Sequence, residues 1–182
     1  MTIGLFVLAV ALIADDAFLR AGKDVPAPKM IEHVAPQYPE VARQVVPFVV
    51  GIVVLDVGTN EQGKVVDIKV VRGAPILAGA AVEAAKKWTY APTIVEGVAR
   101  RVAMAEVVEL FPDEGSRSDY FLDMLKSRKE PPAYRLLALD RLKSATGKKQ
   151  EKLQALLVKL SKDEADESVR AAAQKVLQAE AK

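Results

Sequence analysis

"ILAGAAVEAAKKWTYAPTIVEGVARRVAMAEVVELF", residues 76–111, decides the architecture. Leu77, Ala81, Ala85 and Trp88 recur at i, i+4, i+8 and i+11, which is one face of a helix. Its small alanines let that helix lie close to a sheet. Pro92 forbids further helix, "IVEGVA" carries the chain around, and "RRVAMAEVVELF" reads as a strand over 100–111. Trp88, the only tryptophan, supplies the apolar mass that seals helix against sheet.

Toward the N-terminus, "VPFVVGIVVLDVG" is a β-branched apolar run that suits a buried central strand. "TNEQGK" is a turn in which Asn60 and Gly63 can take positive φ. "VVDIKVV" alternates, with Val66, Ile68 and Val70 on one side and Asp67 and Lys69 on the other. Segments 48–57 and 64–71 therefore form a β-hairpin. "QYPEVARQ" forms a short helix with Pro39 in its first turn. The order helix, strand, strand, helix, strand predicts an α+β fold, a small antiparallel three-stranded sheet with packed helices.

Beyond the break "PDEGSRS", 112–118, Leu, Ala, Lys and Glu take over as strong helix formers. Helices are expected over 118–128, 131–145, 148–161 and 166–180. "AYRLLALDRL" (133–142) and "SVRAAAQKVL" (168–177) align at an offset of 35 residues, matching Arg135 to Arg170, Ala138 to Ala173 and Leu142 to Leu177. A period of that size suggests stacked helical hairpins, and 118–182 reads as an all-α helical-hairpin region.

Residues 1–14 include an uncharged apolar stretch, Thr2 to Ala14, roughly 20 Å long as a helix and short of the about 30 Å a bilayer core requires. The stretch is signal-like or anchor-like, though no Lys or Arg precedes it; an apolar start packed in the fold is the other reading. Residues 15–35, broken by Pro26 and Pro28, read as an extended linker.

Composition narrows the function. Apolar residues at 51% suffice for a core, and a net charge of +2 marks no nucleic-acid binder. With no cysteine there is no disulfide framework, thiolate catalysis or Cys-ligated metal. The single histidine, His33, has no Asp or Cys companion in sequence and reads as incidental. No nucleophile elbow, phosphate loop or HExxH is present, and "SKDEADES" reads as helix caps and solvated charge. The chain is expected to be no enzyme, to carry no cofactor and to hold no metal.

"PQYPEVAR", "GKVVDIKVVRGAP", "LAGAAVEAAKKWTYAP" and a last strand ending "ELF" together resemble the C-terminal domain of TonB-family energy transducers, over residues 36–111. The resemblance rests most on Tyr38-Pro39, on Gly63-Lys64-Val65, and on Ala84-Ala85 leading to Trp88, Tyr90 and Pro92. It implies a periplasmic or inner-membrane-anchored protein of the bacterial envelope. Its protein partner would be an outer-membrane receptor or transporter, with transport across the outer membrane as the context. In such domains the third strand lies at a sheet edge and pairs with an extended peptide by β-augmentation. Carried onto this sequence, that edge is Arg100, Arg101, Val102, Ala103, Met104, Ala105, Glu106, Val107 and Val108, with the arginine pair facing an acidic peptide or guarding the edge. Membrane association through the N-terminal segment and a homodimer stay open.

Two departures from the family pattern matter. The apolar segment has no histidine, and about 21 linker residues reach only on the order of 70 Å, so the resemblance does not extend to energy transduction. The helical tail resembles HEAT-type repeats, through Asp166 to Ala172 against their Asp-x-x-Val-Arg-x-Ala-Ala pattern. It offers a second reading, in which the protein is a scaffold or adaptor and the tail is the binding surface. A tail packed over the third strand would shut the peptide edge.

Overall fold

The structure is a computed structural model and describes residues 17–180 except Val46 and Phe48. The signal-like or anchor-like segment 1–14 lies outside the described residues. Among the described residues no helix is long and apolar enough to cross a membrane.

Strand β3 (Gly51–Thr59) is the middle of the sheet and is buried along almost its whole length, as its unbroken β-branched run requires. It pairs antiparallel with β4 (Val65–Arg72) on one side and β8 (Val102–Leu110) on the other. The turn into β4 lies where expected, with Gly63 at positive φ, while Asn60 is not at positive φ and serves through its side chain. Asn60 Oδ1 accepts from the N–H groups of Gln62 and Lys64 at 3.1 and 2.9 Å, and Gly63 sits at φ +78°. Any side chain at Gly63 would collide with the Tyr90 carbonyl oxygen, 1.9 Å from a Cβ placed there.

The antiparallel three-stranded core is extended by a fourth strand. β1 (Leu19–Arg20) adds in parallel to the start of β8, so the order is β1-β8-β3-β4. β1 comes from the segment expected to be an extended linker, and so does β2 (Met30–Glu32), which pairs with β5 (Thr89–Tyr90). Prolines 26 and 28 do bar a helix, but the residues around them retain donors enough for short strands. Part of 15–35 is therefore packed structure.

Period-two alternation gives the sheet two covered faces. On one, Val53, Leu55, Val57, Met104, Val108 and Leu110 lie under α2 (Pro75–Ala85), whose Leu77, Ala81 and Ala85 are buried. Trp88 falls just past the end of α2 and is 3% exposed. Its indole N–H donates to the Val34 carbonyl at 2.8 Å, and its ring stacks on His33 at 5.3 Å between centroids. His33 is thus a packing partner of the tryptophan. The short helix α1 (Glu40–Arg43) follows Pro39, as the sequence suggested.

"IVEGVA" is more than a connection. β6 (Thr93–Val95) and β7 (Val98–Arg100) form a hairpin closed by Glu96 at φ 50° and Gly97 at φ 79°, the successive positive φ values of a type I′ turn. Arg100 belongs to that hairpin, so the long strand expected over 100–111 starts at Val102.

On the opposite face Ile52, Val54 and Val107 meet α3 (Glu114–Lys126), α4 (Pro132–Leu142), α5 (Gly147–Asp163) and α6 (Glu167–Glu180). α3 packs on α4 and α5 on α6, while α4 touches α6 and α3 touches α5. α3 begins at Glu114, inside the stretch expected to be a break, because the Asp113 carboxylate accepts from the Ser116 N–H at 2.8 Å and caps the helix. Buried Arg135 of α4 bonds Glu164 at 2.5 Å and the Leu125 carbonyl at 3.1 Å. Its offset-35 match, Arg170, donates to the Glu164 carbonyl at 2.8 Å. The matched arginines thus converge on one residue between α5 and α6.

Candidate protein-interaction edge

β8 is paired to β3 along its whole length and to β1 only at its start. The Leu19 N–H donates to the Arg101 carbonyl and the Ala21 N–H to the Ala103 carbonyl, both at 2.9 Å. Odd-numbered residues of β8 thus turn their main-chain groups away from β3, while Met104, Glu106 and Val108 turn theirs toward Val57, Leu55 and Val53. After Ala103 the own-chain strand stops. The outward N–H and C=O groups of Ala105, Val107 and Glu109 meet no hydrogen-bond partner among the described residues.

β1 is only two residues long, and side chains strap it down. Arg20 reaches across the small Ala103 and Ala105 to β3, where its guanidinium bonds both oxygens of Asp56, one at 2.9 Å. That bond holds the Asp56 carboxyl below the ordinary aspartate range. Phe18 lies against Gly58, where an added Cβ would sit 2.6 Å from its ring, and the Arg101 guanidinium stands 4.3 Å over the same ring. Arg101 is thereby engaged with the strap.

The other end of β8 is tied to the helices. Glu109 accepts from Arg117 of α3 at 2.6 Å and from Arg141 of α4 at 2.5 Å. These two ion pairs link the end of β8 to α3 and α4 on the helical face of the sheet.

The nine residues expected to line the edge follow one another in the chain but do not share a surface. Arg100 pairs with Thr93 in the small hairpin. Val102 and Ala103 are covered by β1. Met104 and Val108 are buried in the core under α2, and Val107 packs toward the helices. Ala105 is exposed. Glu106 is half-buried on the α2 face and accepts from the Tyr90 hydroxyl at 3.2 Å. Burial pushes the Glu106 carboxyl above its ordinary range, and burial with that neighbouring carboxylate pushes Tyr90 up as well. What the strand presents outward is main chain, with Ala105 as its small exposed side chain. Among the described residues no three His, Asp or Glu side chains gather to hold a metal ion.

The strap residues Phe18, Arg20 and Asp56, and the tie at Glu109, were missed by sequence reasoning. A lone arginine in a proline-containing segment carries no local signal for a strand 36 residues ahead.

Comparison with known proteins agrees with the resemblance. Residues 34–108 match the family described as Gram-negative bacterial TonB protein C-terminal. Among solved structures the chain matches the solution NMR structure of the Pseudomonas aeruginosa TonB CTD at 19% identity, covering 50% of this chain and 90% of that one, with a TM-score of 0.39. No curated protein matches the chain.

Proposed function

We propose, from the match of residues 34–108 to the TonB C-terminal family, that this protein is a TonB-like interaction module of the bacterial envelope. It takes an extended segment of an outer-membrane receptor or transporter as an added strand on β8. The observation that carries this reading is that β8 already holds a parallel strand from its own chain, and the same row of backbone groups continues unbonded through Ala105, Val107 and Glu109. An incoming segment either continues past Ala103 or displaces β1. Main-chain bonds supply its affinity, as in other strand additions. The geometry does not reserve Arg100 and Arg101 for an acidic peptide, since one sits in the β6–β7 hairpin and the other over Phe18.

The absence of cysteine makes a single-site test clean. Met104 is buried, so the probe belongs on exposed Ala105. Ala105→Cys carrying a short cross-linker in the native envelope is expected to capture a receptor or transporter. Failure to capture one, while a cysteine on the helical tail does so, sinks the edge-strand reading. That outcome would favour the scaffold reading, which rests on a groove of about 380 Å³ between α4 and α6 lined by Leu136, Leu139, Val176 and Ala179 among others.

A further inference from the structure

The far edge of the sheet, β4, has an unusual sequence for an edge strand. Val65-Val66-Asp67-Ile68-Lys69-Val70-Val71 is symmetric about Ile68, valine matching valine and Asp67 matching Lys69. Among the described residues β4 bonds only to β3 in the sheet, apart from a bridge between Lys64 and Thr89 that closes the edge just before this stretch. Three of its valines face water, Val66 at 51%, Val70 at 46% and Val71 at 63% exposure.

We propose that β4 pairs with β4 of a second copy of this chain, antiparallel across a twofold axis at Ile68, joining two sheets into one. The pairing is isologous, so each contact occurs twice. Asp56 and Gly58 oppose Lys69 and Asp67 within the sheet. Because Val57 between them turns its main chain toward Met104 of β8, Asp56 and Gly58 turn theirs toward β4; Lys69 and Asp67 therefore face β3, and Ile68 turns its own outward. Ile68 then exchanges both backbone bonds with its twin. Asp67 falls opposite Lys69 of the second copy at non-hydrogen-bonded positions, where cross-strand side chains come closest. Val66 meets Val70, and the exposed valines are covered.

The same features select this occupant over others. The ladder against β3 shifts register on either side of the run Asp67–Val70, which leaves Val66 and Val71 unpaired there. Such bulges, and a lysine in mid-strand, discourage promiscuous edge pairing. Lys69 would repel a strand with a basic residue opposite it. A second copy meets it with Asp67, which within one chain lies 3.5 Å away from Lys69 with both groups largely solvated. One strand pair buries little area, so the dimer is weak and concentration-dependent. It uses the edge opposite β8 and leaves the proposed partner site free in both copies.

Charge reversal tests this without disturbing the core. Sedimentation of the full chain over a concentration series is expected to show reversible dimers. Asp67→Lys and Lys69→Asp should each weaken association by roughly tenfold or more, since each places like charges opposite one another twice. The double swap Asp67→Lys/Lys69→Asp should restore it, and so should mixing the two single variants, whose strands become complementary. A wild-type monomer throughout the series overturns the proposal. So does association indifferent to these charges, or a mixture that stays monomeric although both variants fold by circular dichroism.

Discussion

Both covered faces of the sheet are packed with apolar side chains, and what separates them is how each treats a glutamate. Under α2 the contacts are aliphatic and aromatic, closed by Trp88. Glu106 sits there half-buried, bonded to the Tyr90 hydroxyl and to no cation among the described residues, and burial raises its pKa. On the helical face Glu164 is nearly inaccessible but paired to Arg135, and its carboxyl is held down to about 2, chiefly by that bond. Burial acts on both in the same direction; the partner decides the outcome. Apolar packing thus holds both faces, and the helical stack adds a buried charge pair to it.

The largest loss is expected from truncating the tryptophan. Trp88→Ala removes a ring 3% exposed together with its bond to Val34, and should cost about 3–5 kcal/mol in urea unfolding. It should also free residues 30–34 to proteolysis while sparing α3 to α6. If unfolding of the helical tail followed to the same extent, the two faces would not be separable as described.

Breaking the ion pair sharpens the other half of the comparison. Arg135→Ala strands Glu164 and should cost about 3 kcal/mol at pH 7, whereas Arg135→Met with Glu164→Leu should be near neutral. The pH signs are opposite for the two glutamates. Glu164 is depressed, so its contribution, about 3 kcal/mol, is fully present above about 4.5 and disappears as pH falls toward 2. Glu106 is raised, so its contribution is present at low pH and disappears as pH rises through its elevated pKa. Denaturation followed from pH 2 to pH 7 in Glu164→Gln and Glu106→Gln should therefore flatten the profile at opposite ends. Parallel shifts would contradict the contrast.

A smaller effect belongs to the cap that starts the tail. Asp113→Ala loses the bond to the Ser116 N–H and should cost about 1 kcal/mol by thermal unfolding. Least costly to stability is the strap on β8. Arg20 is largely exposed, so Arg20→Ala should leave the unfolding midpoint nearly unchanged. Its consequence lies in binding: with β1 loosened, a longer stretch of β8 opens and capture at Ala105→Cys should rise.

The central hairpin, α2 and the last strand were legible because each follows from a strong local rule. The apolar run of β3, the Asn60–Gly63 turn and the proline at 92 each admit few alternatives. The offset-35 match found the two arginines, Arg135 and Arg170, but not the Glu164 on which they converge, since the repeat aligns like with like and the acid has no counterpart. β1 and β2 were hidden for a different reason. Two or three residues carry no periodicity, and their strand character comes from β8 and β5, distant in sequence. In the candidate edge, too, which residues are open depends on a strap that only the folded chain assembles.

Amide hydrogen exchange along β8 in the native state tests the account most directly. An open edge predicts alternation, with the N–H groups of Met104, Glu106 and Val108 slow and those of Ala105, Val107 and Glu109 fast. The fast set should become protected when an extended receptor segment is added. Uniform protection of all six in the free protein would mean that the edge is already covered, and the strand-addition account would fall.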